Sequence, residues 1–232
     1  METLPGGLTL HIPEGCFPLS TDSVVLADFV NLPRNTRVLD LGAGCGSIGL
    51  MLAASCENCQ VTGLEITETA HEAAIQNIAH NHLEGRMESV CADLRQVPSL
   101  FPAGSFSVCV SNPPYFSGGP ASRKFHTARR DDLCTVRDLF SAVSWALQYG
   151  GCFYLVQKPE KLAELIKEGA RLDLECKRLR LLRHRQDGPI ALILMQFKKG
   201  GKPGMNLEET CLFDSLGNET EDYKRIYHME EG

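Results

Sequence analysis

The sequence predicts an α/β fold, a doubly wound and mostly parallel seven-stranded sheet that ends in an antiparallel hairpin. Three observations predict it. Short continuous apolar runs alternate with helical patterns through the middle of the chain. A glycine-rich turn joins the first of these runs to a helix, where a ligand can approach the backbone. The last two β-rich runs are separated only by His184 to Pro189, too short a link for a helical crossover, so they should be antiparallel.

The elements follow in order. Residues 8–19 read as a short extended segment broken by Pro13 and Gly15. Thr21-Asp22 then opens an apolar helix, Val24 to Val30, with a side-chain oxygen at the cap position. Arg37 to Leu41 is the first buried strand, followed by the glycine turn and a helix around Ile48 to Ala54. Val61 to Ile66 is the second strand, and Ala70, Ala74, Ile75 and Ile78 mark the next helix. Met87 to Cys91 and Phe106 to Ser111 are the third and fourth strands. A helix from about Val136 to Leu147, stopped by Gly150-Gly151, leads to a fifth strand, Cys152 to Val156. A helix near Glu160 to Ala170 precedes the hairpin runs Leu174 to Leu182 and Ile190 to Phe197. The tail is polar and glycine-rich from Lys199, with Leu212 to Met229 able to return as a strand and short helix. This gives an N-terminal extension and capping helix (1–35), a sheet domain (36–199) and a C-terminal extension in the same unit (200–232).

Composition narrows the function. A chain of 232 residues suits one well-cored domain. It has no apolar stretch near the roughly 18 residues of a membrane span, and Met1-Glu2-Thr3-Leu4-Pro5 lacks the basic start of a signal peptide, so a cytoplasmic protein is expected. The cysteines read as reduced, since Cys91, Cys109 and Cys152 lie in apolar strands. Cys56 and Cys59 have half of a zinc-site spacing but lack a second pair, and read as incidental to a helix end; no metal is expected. A net charge of −6 excludes a wholesale nucleic-acid coat. Cations are nevertheless clustered at Arg123, Lys124, Arg129 and Arg130, where a substrate backbone would pass, and again through Lys177, Arg178, Arg180, Arg183, His184 and Arg185, which is either a solvated face or a phosphate contact.

Two loops carry the chemistry. Asp40-Leu41-Gly42-Ala43-Gly44-Cys45-Gly46 lies between strand and helix, and Gly44 to Gly49 also satisfies a dinucleotide fingerprint with Glu65 at ribose distance. Asp40 separates the two cofactors, because a carboxylate there suits the cationic amino group of a methionine moiety and repels a pyrophosphate. S-adenosylmethionine is therefore the expected cofactor, with Asp40, Gly42, Gly44, Gly46, Glu65, Ile66, Asp93 and Leu94 around it; Asp93 either accepts from an adenine amine or caps a helix. The second loop, Asn112-Pro113-Pro114-Tyr115, follows the fourth strand. An amine conjugated to a ring or carbonyl is a poor nucleophile. An Asn oxygen and a neighbouring carbonyl restore its reactivity by accepting both hydrogens, prolines add no competing N–H, and the aromatic stacks on a flat target.

These segments resemble the bacterial tRNA(Val) adenine-N6 methyltransferase family, of Rossmann-like class I methyltransferases. The resemblance covers the whole chain, through Phe17 to Ala27, Val38 to Gly44, Ser111 to Tyr115, Ala128-Arg129 and Asp214 to Thr220. It implies that Thr21 and Asp22 help enclose the cofactor, that Glu65 binds its ribose, and that Asn112 through Tyr115 hold an adenine of RNA, tRNA foremost, with no obligate protein partner. The family's Ala-Arg segment continues with His-Glu, whereas Arg130-Asp131 follows here, which touches the RNA contacts and leaves the catalytic core. The same loop occurs in enzymes that methylate glutamine in release factors, and in relatives acting on ribosomal guanine. An RNA-binding scaffold without catalysis is the alternative outside enzymes.

Overall fold

The computed structural model describes residues 1–113 and 134–227. A small hairpin, β1 (Glu2–Thr3) with β2 (Thr9–Leu10), precedes helix α1 (Thr21–Phe29). The cap of α1 is Ser20, one residue before the expected position, and its hydroxyl accepts from the Ser23 N–H. Strand β3 (Arg37–Leu41) then leads through the glycine turn to α2 (Ser47–Ser55). Next come β4 (Gln60–Glu65), α3 (Glu68–His80) and β5 (Met87–Cys91). A short α4 (Val97–Leu100) precedes β6 (Phe106–Ser111). The second half runs α5 (Val136–Ala146), β7 (Leu147–Gln157), α6 (Leu162–Arg171), β8 (Leu174–Arg185), β9 (Ile190–Lys199), β10 (Asn206–Phe213) and α7 (Glu221–Ile226).

The main sheet has eight strands in the order β10-β8-β9-β7-β6-β3-β4-β5, one more than the sequence predicts. Only β9 is reversed: it is antiparallel to β7 and β8, while every other pairing is parallel. The extra strand, β10, begins in the segment read as a polar tail. It is an edge strand covered on one side, so its sequence lacks a continuous apolar run. Its acids face the second basic stretch: Glu208 takes Arg178 (2.9 Å) and Arg180 (3.0 Å), and Glu209 takes Arg183 (2.6 Å). Neither reading of that stretch foresaw this: Arg178, Arg180 and Arg183 form a cross-strand ladder of ion pairs with β10.

The two faces of the sheet carry separate apolar clusters. One joins β3, β6 and β7 to α1, α2 and α7 through Val38, Val110, Tyr154, Leu26, Leu50 and Ile226. The other packs α5 and α6 under the sheet through Phe140, Phe153, Leu165 and Phe197. Layers of this kind place the carboxyl ends of β3, β4, β5 and β6 along one open edge. Cys56 and Cys59 correct the reading of reduced thiols, for they form a disulfide with Cα atoms 5.5 Å apart. One tight turn, in which the Cys59 N–H bonds to the Cys56 carbonyl, brings them together. Cys91, Cys109 and Cys152 are free thiols. Among the described residues, no helix is long and apolar enough to cross a membrane.

Asp28, at the end of α1, accepts from Arg180 of β8 (3.0 Å) and from Arg225 of α7. Arg178 and Arg180 also lie over the Phe29 ring, at 4.3 and 4.8 Å from its centroid. Asp28→Ala leaves the largely buried Arg180 guanidinium with Glu208 alone and releases Arg225, so urea unfolding should show a loss of about 1–3 kcal/mol. Arg171→Ala, which breaks an exposed pair with Glu168 one turn earlier on α6, should cost no more than about 0.5 kcal/mol. Equal losses in the two variants would contradict a structural role for the α1 anchor.

Candidate active site

The strand order reverses between β3 and β6, which pair with Asp40 opposite Val110. The Ser111 hydroxyl donates to the Leu41 carbonyl at 2.7 Å, so the two strands end together. The glycine turn leaves β3 beside Asn112-Pro113 leaving β6, at the switch point where open α/β sheets bind ligands.

Backbone strain and straps shape the turn. Gly42, Gly44 and Gly46 have φ of 77°, 55° and 90°, a region that side chains rarely adopt. Built-on Cβ atoms at Gly42 and Gly44 meet nothing within 4 Å, so these residues border open space. The Gly42 and Ala43 N–H groups donate to the Leu64 carbonyl at 2.9 and 3.0 Å, and the Gly44 N–H donates to Glu65 Oε2 at 2.9 Å. Glu65 Oε1 accepts from the Thr67 N–H at 2.7 Å, so one carboxylate fixes both the turn and the start of the next loop. Its remaining lone pairs suit two ribose hydroxyls. Ile66 beside it is 40% exposed, an apolar surface for a flat base.

Asp40, on β3, is buried beneath the turn. Its carboxyl has no exposed surface and neither oxygen makes a hydrogen bond, although the Gly49 N–H is near enough to draw its pKa down. Burial dominates and raises the pKa to about 7, with Glu65 adding to the rise. Asp93 engages Arg95 in an ion pair and forms a capping box with Gln96, beside Leu94 in the same 3-10 turn. Thr21 and Asp22 form the first turn of α1. Burial lifts the carboxyl of Asp22 above its usual range, and Lys158 and His184 pull it back.

Asn112 is half-buried, and its Nδ2 donates to Ser23 Oγ on α1 at 3.1 Å. Pro113 is buried. Pro114 and Tyr115 lie outside the described residues, as do Arg123, Lys124, Arg129 and Arg130. The chain's earlier residues hold two positions that sequence reasoning missed, Ser23 and Asn77. Asn77 donates to the carbonyls of Cys45 and His11, both at 2.9 Å, and accepts from the His11 N–H, tying the N-terminal segment to the glycine turn. Its signal was available: a polar residue on the apolar face of α3, three residues from Ala74 and four from Ala73.

An open glycine cradle, a ribose-type carboxylate and an amine-type Asn at one switch point fit S-adenosylmethionine. This fold and site define a class I methyltransferase. A family model, methyltransferase small domain, matches residues 19–169, and the chain belongs to that family. A Photobacterium profundum protein named tRNA1(Val) (adenine(37)-N6)-methyltransferase is 26% identical over 212 residues, covering 88% of each chain. A protein of that name from Shewanella woodyi is 31% identical over 171 residues, 71% of this chain and 70% of its own. Among solved structures, a predicted O-methyltransferase from Agrobacterium tumefaciens aligns with a TM-score of 0.73 at 22% identity, over 90% of this chain and 96% of its own. Geranyl diphosphate methyltransferase in complex with SAM aligns at 0.57 and 12% identity, over 76% and 84%. Both support the fold.

Two outcomes are expected. Glu65→Ala removes the acceptors of the Gly44 and Thr67 N–H groups and the carboxylate offered to a ribose, so calorimetry should show S-adenosylhomocysteine binding weakened by about 1.5–3 kcal/mol. The second concerns Asp40, whose folded pKa lies above its unfolded value. Between about pH 4 and about 7 the folded chain holds a proton that the unfolded chain has released, so Asp40 contributes a loss of stability as pH rises through that window. The stability of the native chain relative to Asp40→Asn should fall from about pH 4 to about pH 7 in urea titrations and level off above that. A flat difference would place the Asp40 pKa at the ordinary value.

Proposed function

We propose that this methyltransferase uses S-adenosylmethionine to methylate the exocyclic N6 amine of an adenine in RNA, with tRNA as the substrate class. The observation that carries the reading is Asn112 at the end of β6, its amide nitrogen turned towards Ser23 so that Oδ1 remains to accept an amine hydrogen. The names of the relatives point to the same amine and the same class of RNA. The absence of a long apolar helix among the described residues is compatible with work in the cytoplasm, beside tRNA.

Gly42, Gly44 and Glu65 would hold the cofactor's methionine and ribose portions, with Ile66 against its base. When bound, S-adenosylmethionine supplies a sulfonium methyl carbon that takes the amine's lone pair while the C–S bond breaks towards sulfur. Asn112 Oδ1 accepts one amine hydrogen, and the Pro113 carbonyl is the neighbouring acceptor for the other; together they localise the lone pair on nitrogen. The proton leaves the methylated nitrogen for water after transfer. Tyr115 would stack on the adenine, and Arg123, Lys124, Arg129 and Arg130 would meet phosphates. Rate enhancement would come from orientation of the amine and exclusion of water around it.

The test supplies deuterated-methyl S-adenosylmethionine with total tRNA and, separately, with total protein, followed by mass spectrometry of the digests. Labelled N6-methyladenosine in tRNA is expected. Labelled methylglutamine in protein, or methylguanosine in RNA, would overturn the assignment of substrate. Asn112→Ala should lower turnover by roughly 10²–10³ while cofactor affinity stays within a few fold, as for loss of one preorganised polar group. Turnover near that of the native chain would make the loop structural.

A further inference from the structure

We propose that Ser23, on α1, is a positioning residue for methyl transfer, acting by holding the side-chain amide of Asn112. The inference rests on the reading of Asn112 as the amine acceptor. Asn112 Nδ2 donates to Ser23 Oγ at 3.1 Å across 89 residues of chain. An Asn amide has one accepting and one donating end, and its terminal torsion is soft, so a free Asn112 would sample both ends and a range of planes. The Ser23 hydroxyl fixes the plane and occupies the donating end. The reverse orientation would turn N–H against the N–H bonds of the substrate amine, so substrate binding completes the selection that Ser23 begins.

Ser23 is suited to this because it cannot wander. It is 7% exposed, and its own N–H is held by the Ser20 cap, whose carbonyl it reaches at 3.1 Å. Helix α1 is clamped at its far end by the ion pairs of Asp28 with Arg180 and Arg225. It is clamped again by Phe29, whose ring meets Tyr154 of β7 edge-on at 5.9 Å. A hydrogen bond from a rigid helix to a residue at a strand end holds the amide within the small tolerance that in-line transfer needs. An element N-terminal to the sheet domain thereby reaches the reacting atom through one side chain.

The test compares native chain, Ser23→Ala, Ser23→Thr, Asn112→Ala and the double variant Ser23→Ala/Asn112→Ala, with total tRNA as acceptor. Ser23→Ala should lower kcat about tenfold, the worth of one orienting hydrogen bond, with KM for tRNA and affinity for S-adenosylhomocysteine within about twofold. Ser23→Thr, which keeps the hydroxyl, should restore most of the loss. In the Asn112→Ala background, Ser23→Ala should bring no further loss, because the group it positions is gone. Side-chain NMR gives a readout independent of substrate: the Asn112 Nδ2 protons should exchange slowly in the native chain and faster in Ser23→Ala. Additive losses in the double variant, an unchanged kcat in Ser23→Ala, or fast-exchanging Asn112 protons in the native chain would each overturn the proposal. A native chain that labels protein and leaves tRNA unlabelled overturns the RNA reading alone. The same comparison is then run on that protein substrate.

Discussion

The parallel pairing of β3 with β6 brings together two stretches of chain that no local interaction could join. Everything the site does follows from where those two strands stop. Ser111 hydrogen-bonds the Leu41 carbonyl, so the next residue on each strand leaves the sheet at the same level: Gly42 on one side, Asn112 on the other. The units β3-α2-β4 and β4-α3-β5 build outward in one direction, and the chain then crosses back to lay β6 on the other flank of β3. The glycine turn and Asn112 thus become neighbours by topology, with no long loop needed to carry either across the sheet.

The turn after β3 shows how burial and electrostatics share this edge. Backbone N–H groups of Gly42, Ala43 and Gly44 are satisfied by Leu64 and Glu65 at the end of β4, so the cradle is held by the neighbouring strand. Asp40 lies under it without a hydrogen-bond partner, and burial holds its pKa near 7. A buried carboxyl that is costly to ionise is tolerable where a cationic ligand lies nearby, since that charge would favour the ionised form.

Much of this was legible in the sequence, for identifiable reasons. Strands β3, β4 and β6 read as strands because they lie inside the sheet and are buried along most of their length, and the glycines between β3 and α2 mark a turn that side chains rarely make. Asn112 was legible because it follows such a run directly. β10 was hidden. It lies at the sheet edge and pairs charge with charge, so Glu208 and Glu209 looked like a polar tail while Arg178, Arg180 and Arg183 looked like a basic face. The depth of Asp40, the disulfide between Cys56 and Cys59, and the contact of Ser23 with Asn112 depend on the exact approach of elements, which periodicity does not encode.

The central claim is spatial: the amine meets the cofactor at the junction of β3 and β6, with Asn112 Oδ1 as its acceptor. A crystal structure of the chain with S-adenosylhomocysteine and an adenine-containing oligonucleotide tests it most directly. The account predicts the sulfur above the Gly42–Gly44 turn, both ribose hydroxyls on Glu65, and the adenine N6 within hydrogen-bond distance of Asn112 Oδ1. An adenine bound away from Asn112, or a cofactor lying clear of the Gly42–Gly44 turn, would contradict it.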